Sequence, residues 1–161
     1  MTQTIQGSKG VALMECVNPR RNKWKVRWNI AEQDNGQAQW QETDFAHKPT
    51  LDEVRAAIFG WFNSETDRKI LSGFVWHDMH VWLSQENQFN YKSAYDIAVQ
   101  TGGKSLPVKF KFGTDTEPQY YEFKTLDELA DFYFKALAYI QTTLQEGWNA
   151  KDAINLKEYG V

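Results

Sequence analysis

One tetrapeptide occurs twice in this chain. Thr50-Leu51-Asp52-Glu53 returns 75 residues later as Thr125-Leu126-Asp127-Glu128. Each copy follows a β-like stretch and opens an apolar pattern of helical period. A Thr hydroxyl at a helix cap accepts from a free backbone N–H, and a Glu three residues on reaches back to the cap amide. Thr-x-x-Glu is therefore a helix start signal, and its repetition predicts repeated strand–strand–helix units. It constrains architecture strongly and activity hardly at all.

The surrounding patterns supply the strands. Trp24, Val26, Trp28 and Ile30 alternate with Lys25, Arg27 and Asn29, the period of a half-buried strand. This predicts an aromatic core face and a wet, cationic face. Asn35-Gly36 predicts a tight hairpin with positive φ angles, and Ala38–Phe45 is the returning strand, anchored by Trp40. The first helix carries apolar residues at Leu51, Val54, Ile58, Trp61 and Phe62 and should stop near Asn63-Ser64. A middle unit has short strands at Ile70–Trp76 and Val81–Leu83, then a helix started by Ser84 and stopped by Gly102-Gly103. In the third, Val108, Phe110 and Phe112 alternate with lysines, Tyr120–Phe123 returns, and a long amphipathic helix runs to about Gly147. The expected fold is α+β, a single compact domain over 1–161 of three ββα-like units, antiparallel strand pairs each followed by a helix. The first unit has an extra strand, and residues 1–10 and 151–161 are loosely ordered.

Charge is −3 overall, but residues 1–30 hold six Lys/Arg against one acid, a local +5 that leaves −8 elsewhere. Arg20, Arg21, Lys23, Lys25 and Arg27, interleaved with Trp24 and Trp28, are the candidate nucleic-acid contacts. Cations and rings of this kind bind single strands through phosphates and stacking. The alternation argues against it, because a ring face open for stacking turns the cations away. Seven Trp and seven Tyr instead favour protein contact, for which Trp61, Trp82 and Trp148 are the candidates.

No constellation for chemistry is legible. His77 and His80 lie three apart at a predicted turn, and zinc sites take three or four suitable ligands. Cys16 sits in an apolar run, without a His partner in sight, as a small hydrophobe does. Asp52, Glu53, Asp127 and Glu128 fall in helix first turns, where the dipole favours negative charge. Gly102-Gly103 lacks the Lys-Ser/Thr of a phosphate loop. We expect no catalytic residue, metal or cofactor, hence no enzyme. The N-terminus lacks the pattern of a signal peptide, and no apolar run is long enough to span a bilayer. A single cysteine fits a reducing compartment. The expectation is a cytoplasmic protein with no membrane association.

Ser72-Gly73-Phe74-Val75-Trp76, Val81-Trp82-Leu83-Ser84 and Gln85-Glu86-Asn87-Gln88-Phe89-Asn90, followed by a strand pair and a Thr-Leu-x-Glu helix, resemble a domain of unknown function in phage and prophage proteins, often found beside tail or tail-fibre components. The resemblance covers roughly residues 65–155. It implies a structural or assembly accessory protein, virion-associated or in the host cytoplasm, whose partner is a tail component or a second copy. It carries over no catalytic residue.

Overall fold

A computed structural model describes residues 1–160. The chain is α+β. Strands β1 (Gln3–Ser8), β2 (Met14–Asn18), β3 (Lys23–Glu32) and β4 (Gln37–Phe45) form an antiparallel sheet of order β1-β4-β3-β2. Helix α1 (Leu51–Ser72) follows it. Hairpin β5 (Phe74–Trp76)–β6 (Met79–Val81) leads to α2 (Gln85–Gln100), and hairpin β7 (Val108–Gly113)–β8 (Pro118–Phe123) leads to α3 (Leu126–Asp152). Each helix thus follows an antiparallel strand pair.

The residues pack as two compact units. One is Met1–Asn63 with the C-terminal segment from Ala150; the other is Ser64–Asn149. The boundary falls inside α1 and again inside α3. The first core joins Val26 and Trp28 of β3 to Val54 and Ile58 of α1 and to Tyr159. The second is aromatic: Phe74, Trp76, Tyr91, Phe112, Phe123 and Phe132 are all buried in it. The ring centroids of Phe132 lie 5.0 Å from those of both Tyr91 and Phe123.

The two Thr-x-x-Glu sites both cap helices, but in different ways. At α1 the box is reciprocal: Glu53 N–H donates to Thr50 Oγ1 at 3.3 Å, and Thr50 N–H donates to Glu53 Oε2 at 2.8 Å. At α3 Glu128 N–H likewise donates to Thr125 Oγ1 at 3.3 Å. The Glu128 carboxylate, however, accepts from Lys124 N–H and from the Tyr121 hydroxyl of β8. The same four residues complete a cap locally in one place and through a strand in the other. Ser84 caps α2, accepting from Asn87 N–H at 3.2 Å. Gly102 and Gly103, both at positive φ, end it by donating to Val99 O and Ala98 O, the paired bonds of a glycine C-cap.

Several sequence expectations are corrected. Residues 3–8, within the stretch 1–10 expected to be loose, form β1, and within 151–161, also expected to be loose, Leu156–Tyr159 form a 3-10 turn whose Tyr159 is buried, Val161 lying outside the described residues. Helix α1 does not stop at Asn63-Ser64 but runs to Ser72, taking Ile70 out of the predicted strand. Asn63 and Ser64 carry no backbone conflict with a helix, and an Arg68–Glu65 pair supports the next turn. The stop is Gly73, where a Cβ would lie 2.6 Å from Lys69 O and 2.0 Å from the Tyr139 hydroxyl. Gly147 lies inside α3, where it allows close approach to Thr66. At the β3–β4 hairpin only Gly36 takes positive φ. Gln33 N–H donates to Gln37 O and Gly36 N–H to Gln33 O, so the loop is a three-residue turn with glycine at its end.

Asn29, at φ 51, forms a bulge in β3. It puts Ala31 rather than Ile30 opposite Gln39, so the alternation shifts by one beyond Trp28. The cationic face of β3 is not wet either. Glu42 stands opposite Arg27 across the β3–β4 ladder, and Trp40, two residues away, shares that face. Trp40 packs over Gly7 of β1 so closely that a Cβ there would lie 2.7 Å from the ring.

Candidate protein-contact surface

Of the five basic candidates, the structure keeps Arg20, Arg21 and Lys23 exposed and ties up Lys25 and Arg27. Arg27 is only 7% exposed. Its Nε donates to Glu42 Oε2 at 2.7 Å, Nη2 to Glu15 Oε2 at 2.9 Å and Nη1 to Ala12 O at 2.9 Å. Lys25 pairs with Glu42 and lies 3.6 Å from Asp44. Burial alone would push the Glu42 carboxyl up, but hydrogen bonds from Lys25, Arg27 and Trp40 outweigh it and hold the group below the ordinary carboxylate value. For Arg27 too, burial opposes the charge and the two carboxylates overcome it. Trp28 is buried, its Nε1 without a partner among the described residues, and Trp24 is half-buried. The five cations do not form one patch beside open rings. The alternation already argued against such a patch; what sequence reasoning missed is that Lys25 and Arg27 are paired rather than wet, because a cation's burial depends on its cross-strand carboxylate.

The three candidate Trp residues also separate. Trp61 is packed in the first core, edge-on to Trp28 at 6.3 Å and to Phe62 at 4.9 Å. Trp148 is 50% exposed on α3. Trp82 is 40% exposed, and its Nε1 donates to Gly113 O at 2.9 Å. It borders an open cleft of about 410 Å³ with Asn87, Thr114, Lys111 and Asp115.

Within the second unit, α2 and α3 leave a more continuous apolar surface. A groove of about 170 Å³ runs between Phe89 and Tyr91 on one side and Tyr133, Ala136, Leu137 and Ile140 on the other. Leu83, Gln88 and Ile140 also line the neighbouring groove, which continues to Ile70, Leu71 and Leu144. At the other end Tyr133 stacks on Tyr95 at 5.0 Å, and Phe134 meets Tyr95 edge-on at 5.4 Å. Phe89 is 70% exposed and Phe134 52%. The helical apolar pattern signals the inner side of these helices. Helical periodicity counts Phe89 and Leu137 as part of that inner side and passes over Phe134, whereas the structure leaves all three exposed.

His77 and His80 are held apart. His77 sits in the β5–β6 turn, stacked on Trp76 at 4.2 Å, while His80 faces Val75 across the hairpin and stacks on Trp82 at 6.1 Å. Cys16 is a half-buried free thiol opposite Trp24. Among the described residues no three His, Cys, Asp or Glu side chains converge as metal ligands, and no helix is long and apolar enough to cross a membrane.

Fold and surface together define an α+β protein with a charge-paired sheet in one unit and an apolar two-helix surface in the other. The chain belongs to the family described as Domain of unknown function (DUF4376), whose model matches residues 53–160. The matched stretch contains all of the second unit but begins after the four-stranded sheet. No curated protein and no solved structure matches the chain.

Proposed function

We propose that this chain is a non-enzymatic accessory protein that works by protein–protein contact through the α2–α3 surface. The observation that carries the reading is the set of exposed apolar side chains Phe89, Phe134 and Leu137, set against the half-buried rings of Tyr95 and Tyr133. Contiguous exposed apolar surface rimmed by polar residues marks interaction sites, and aromatic side chains anchor them. The shifted ionisable groups support a structural rather than catalytic use of charge. Glu42, Lys25 and Arg27 hold the sheet, Glu53 caps α1, and Lys92 pairs with Asp96 along α2. The resemblance of residues 65–155 to a phage-associated domain makes a tail component the first partner to try, in the cytoplasm of the producing cell or on the virion. The nucleic-acid reading is less favoured, since two of its five cations are already neutralised.

Co-purification with tail components from a producing cell tests the proposal. The variant Phe89→Ser/Leu137→Asp should keep the fold by circular dichroism and lose the partner. Undiminished co-purification by that variant would refute this surface.

A further inference from the structure

Among the described residues, strand β1 is an outer strand of its sheet and is paired on one side only, with β4. The other outer strand, β2, carries Glu15, and its pairing with β3 is interrupted between Cys16 and Asn18. A charge and a bulge are devices by which natural sheets stop an edge from recruiting another chain. β1 has neither. Gln3-Thr4-Ile5-Gln6-Gly7-Ser8 holds no charge and no proline, and its register with β4 runs unbroken over six pairs. Its side chains are amides, hydroxyls and one aliphatic group at the centre. Thr4, Gln6 and Ser8 lie opposite Gln41, Gln39 and Gln37 on one face, and Ile5 lies opposite Trp40 on the other.

We propose that β1 pairs antiparallel with β1 of a second copy, joining two four-stranded sheets into one of eight strands. A two-fold contact requires a segment complementary to its own reverse, and this strand meets that requirement. In the register centred on Ile5, the two Ile5 side chains meet on the axis beside the Trp40 rings, Thr4 faces Gln6, and Gln3 faces Gly7. No charged side chain of the strand meets its copy, and Lys9 of each copy falls at opposite ends of the ladder. A neutral edge is what lets two chains of net charge −3 approach. The outward backbone groups would pair with their counterparts as in strand addition to a sheet edge. A second copy is the occupant because the strand, uncharged and free of proline, is complementary to its own reverse in that register. β1 belongs to the first unit and the α2–α3 groove to the second.

Sedimentation of the full chain over a range of concentrations tests the inference. The weight-average mass should rise from one chain toward two. Ile5→Lys places like charges opposite each other on the axis and should weaken association by roughly tenfold or more. Thr4→Lys/Gln6→Lys, which alters only exposed side chains, should do the same and guards against a folding defect at Ile5. Leu137→Asp, on the other surface, should leave association unchanged. A wild-type chain that stays monomeric throughout overturns the inference, as does undiminished association of Thr4→Lys/Gln6→Lys.

Discussion

The Tyr159 hydroxyl donates to the main-chain carbonyl of Arg27 at 2.9 Å, a buried bond between positions 132 apart in the chain. It ties the C-terminal 3-10 turn to the central strand β3, on the same residue whose guanidinium organises the opposite face of the sheet. Tyr159→Phe leaves that carbonyl buried without its donor, at a cost of about 1–2 kcal/mol. Urea unfolding should show a lower midpoint with an unchanged m-value.

Burial pushes the phenols of Tyr91 and Tyr159 from 10.0 up to about 12. The neutral forms are thus favoured in the folded chain. Their contribution to stability is complete below pH 10 and is lost as pH rises from 10 toward 12. Absorbance at 295 nm should show two tyrosines ionising only with unfolding in that window, and Tyr159→Phe should remove one of them.

Glu42 is the shared acceptor of Lys25, Arg27 and Trp40. Glu42→Gln strands a buried guanidinium with only the half-exposed Glu15 as counter-charge, and about 3 kcal/mol should be lost. Because the folded carboxyl sits below its ordinary value of 4.5, its contribution is present above that value and lost as pH falls through the depressed one. The acid limb of the wild-type stability curve should flatten in Glu42→Gln. Arg27→Met added to Glu42→Gln should cost less than the sum of the two changes, the signature of a coupled pair.

The β5–β6 hairpin turns on His77 and Asp78, both at positive φ, 46° and 62°. Two-residue hairpin loops demand this geometry and usually place glycine in it. Asp78→Gly should stabilise the chain by about 0.5–1 kcal/mol, read as a raised Tm. His77 keeps its stack on Trp76 in that variant, so near-ultraviolet circular dichroism should not change.

The family match opens within the first turn of α1, whereas the strands that cover Val54 and Ile58 lie before it. Residues 53–160 expressed alone should uncover those side chains with Trp61 and Tyr159, each worth about 1.5–3 kcal/mol when buried. The fragment should bind an apolar dye and aggregate where the full chain stays clear.

How far the sequence was legible follows from range. Local signals read well. The Thr50 and Thr125 caps, the Ser84 cap, the Gly102-Gly103 stop and the alternation at Val108–Phe112 all involve neighbours within five residues. Features set by partners far along the chain did not read. Gln3–Ser8 is too polar to signal a strand until β4 pairs with it. Arg27 is buried because Glu42 and Glu15 converge on it. Asn63-Ser64 reads as a helix end although α1 continues into the second core through Ile70. The α2–α3 surface did not read for a similar reason: Phe89 and Leu137 belong to the apolar pattern of their helices, and only the packing partner decides that they stay exposed.

Photo-crosslinking in the producing cell tests the contact surface most directly. A benzophenone side chain placed at Leu137 or Phe89 should give one discrete crosslinked product, while the same group at Tyr120, exposed on β8, should give none. Equal crosslinking at all three positions, or none at Leu137 and Phe89, would contradict protein contact through α2 and α3.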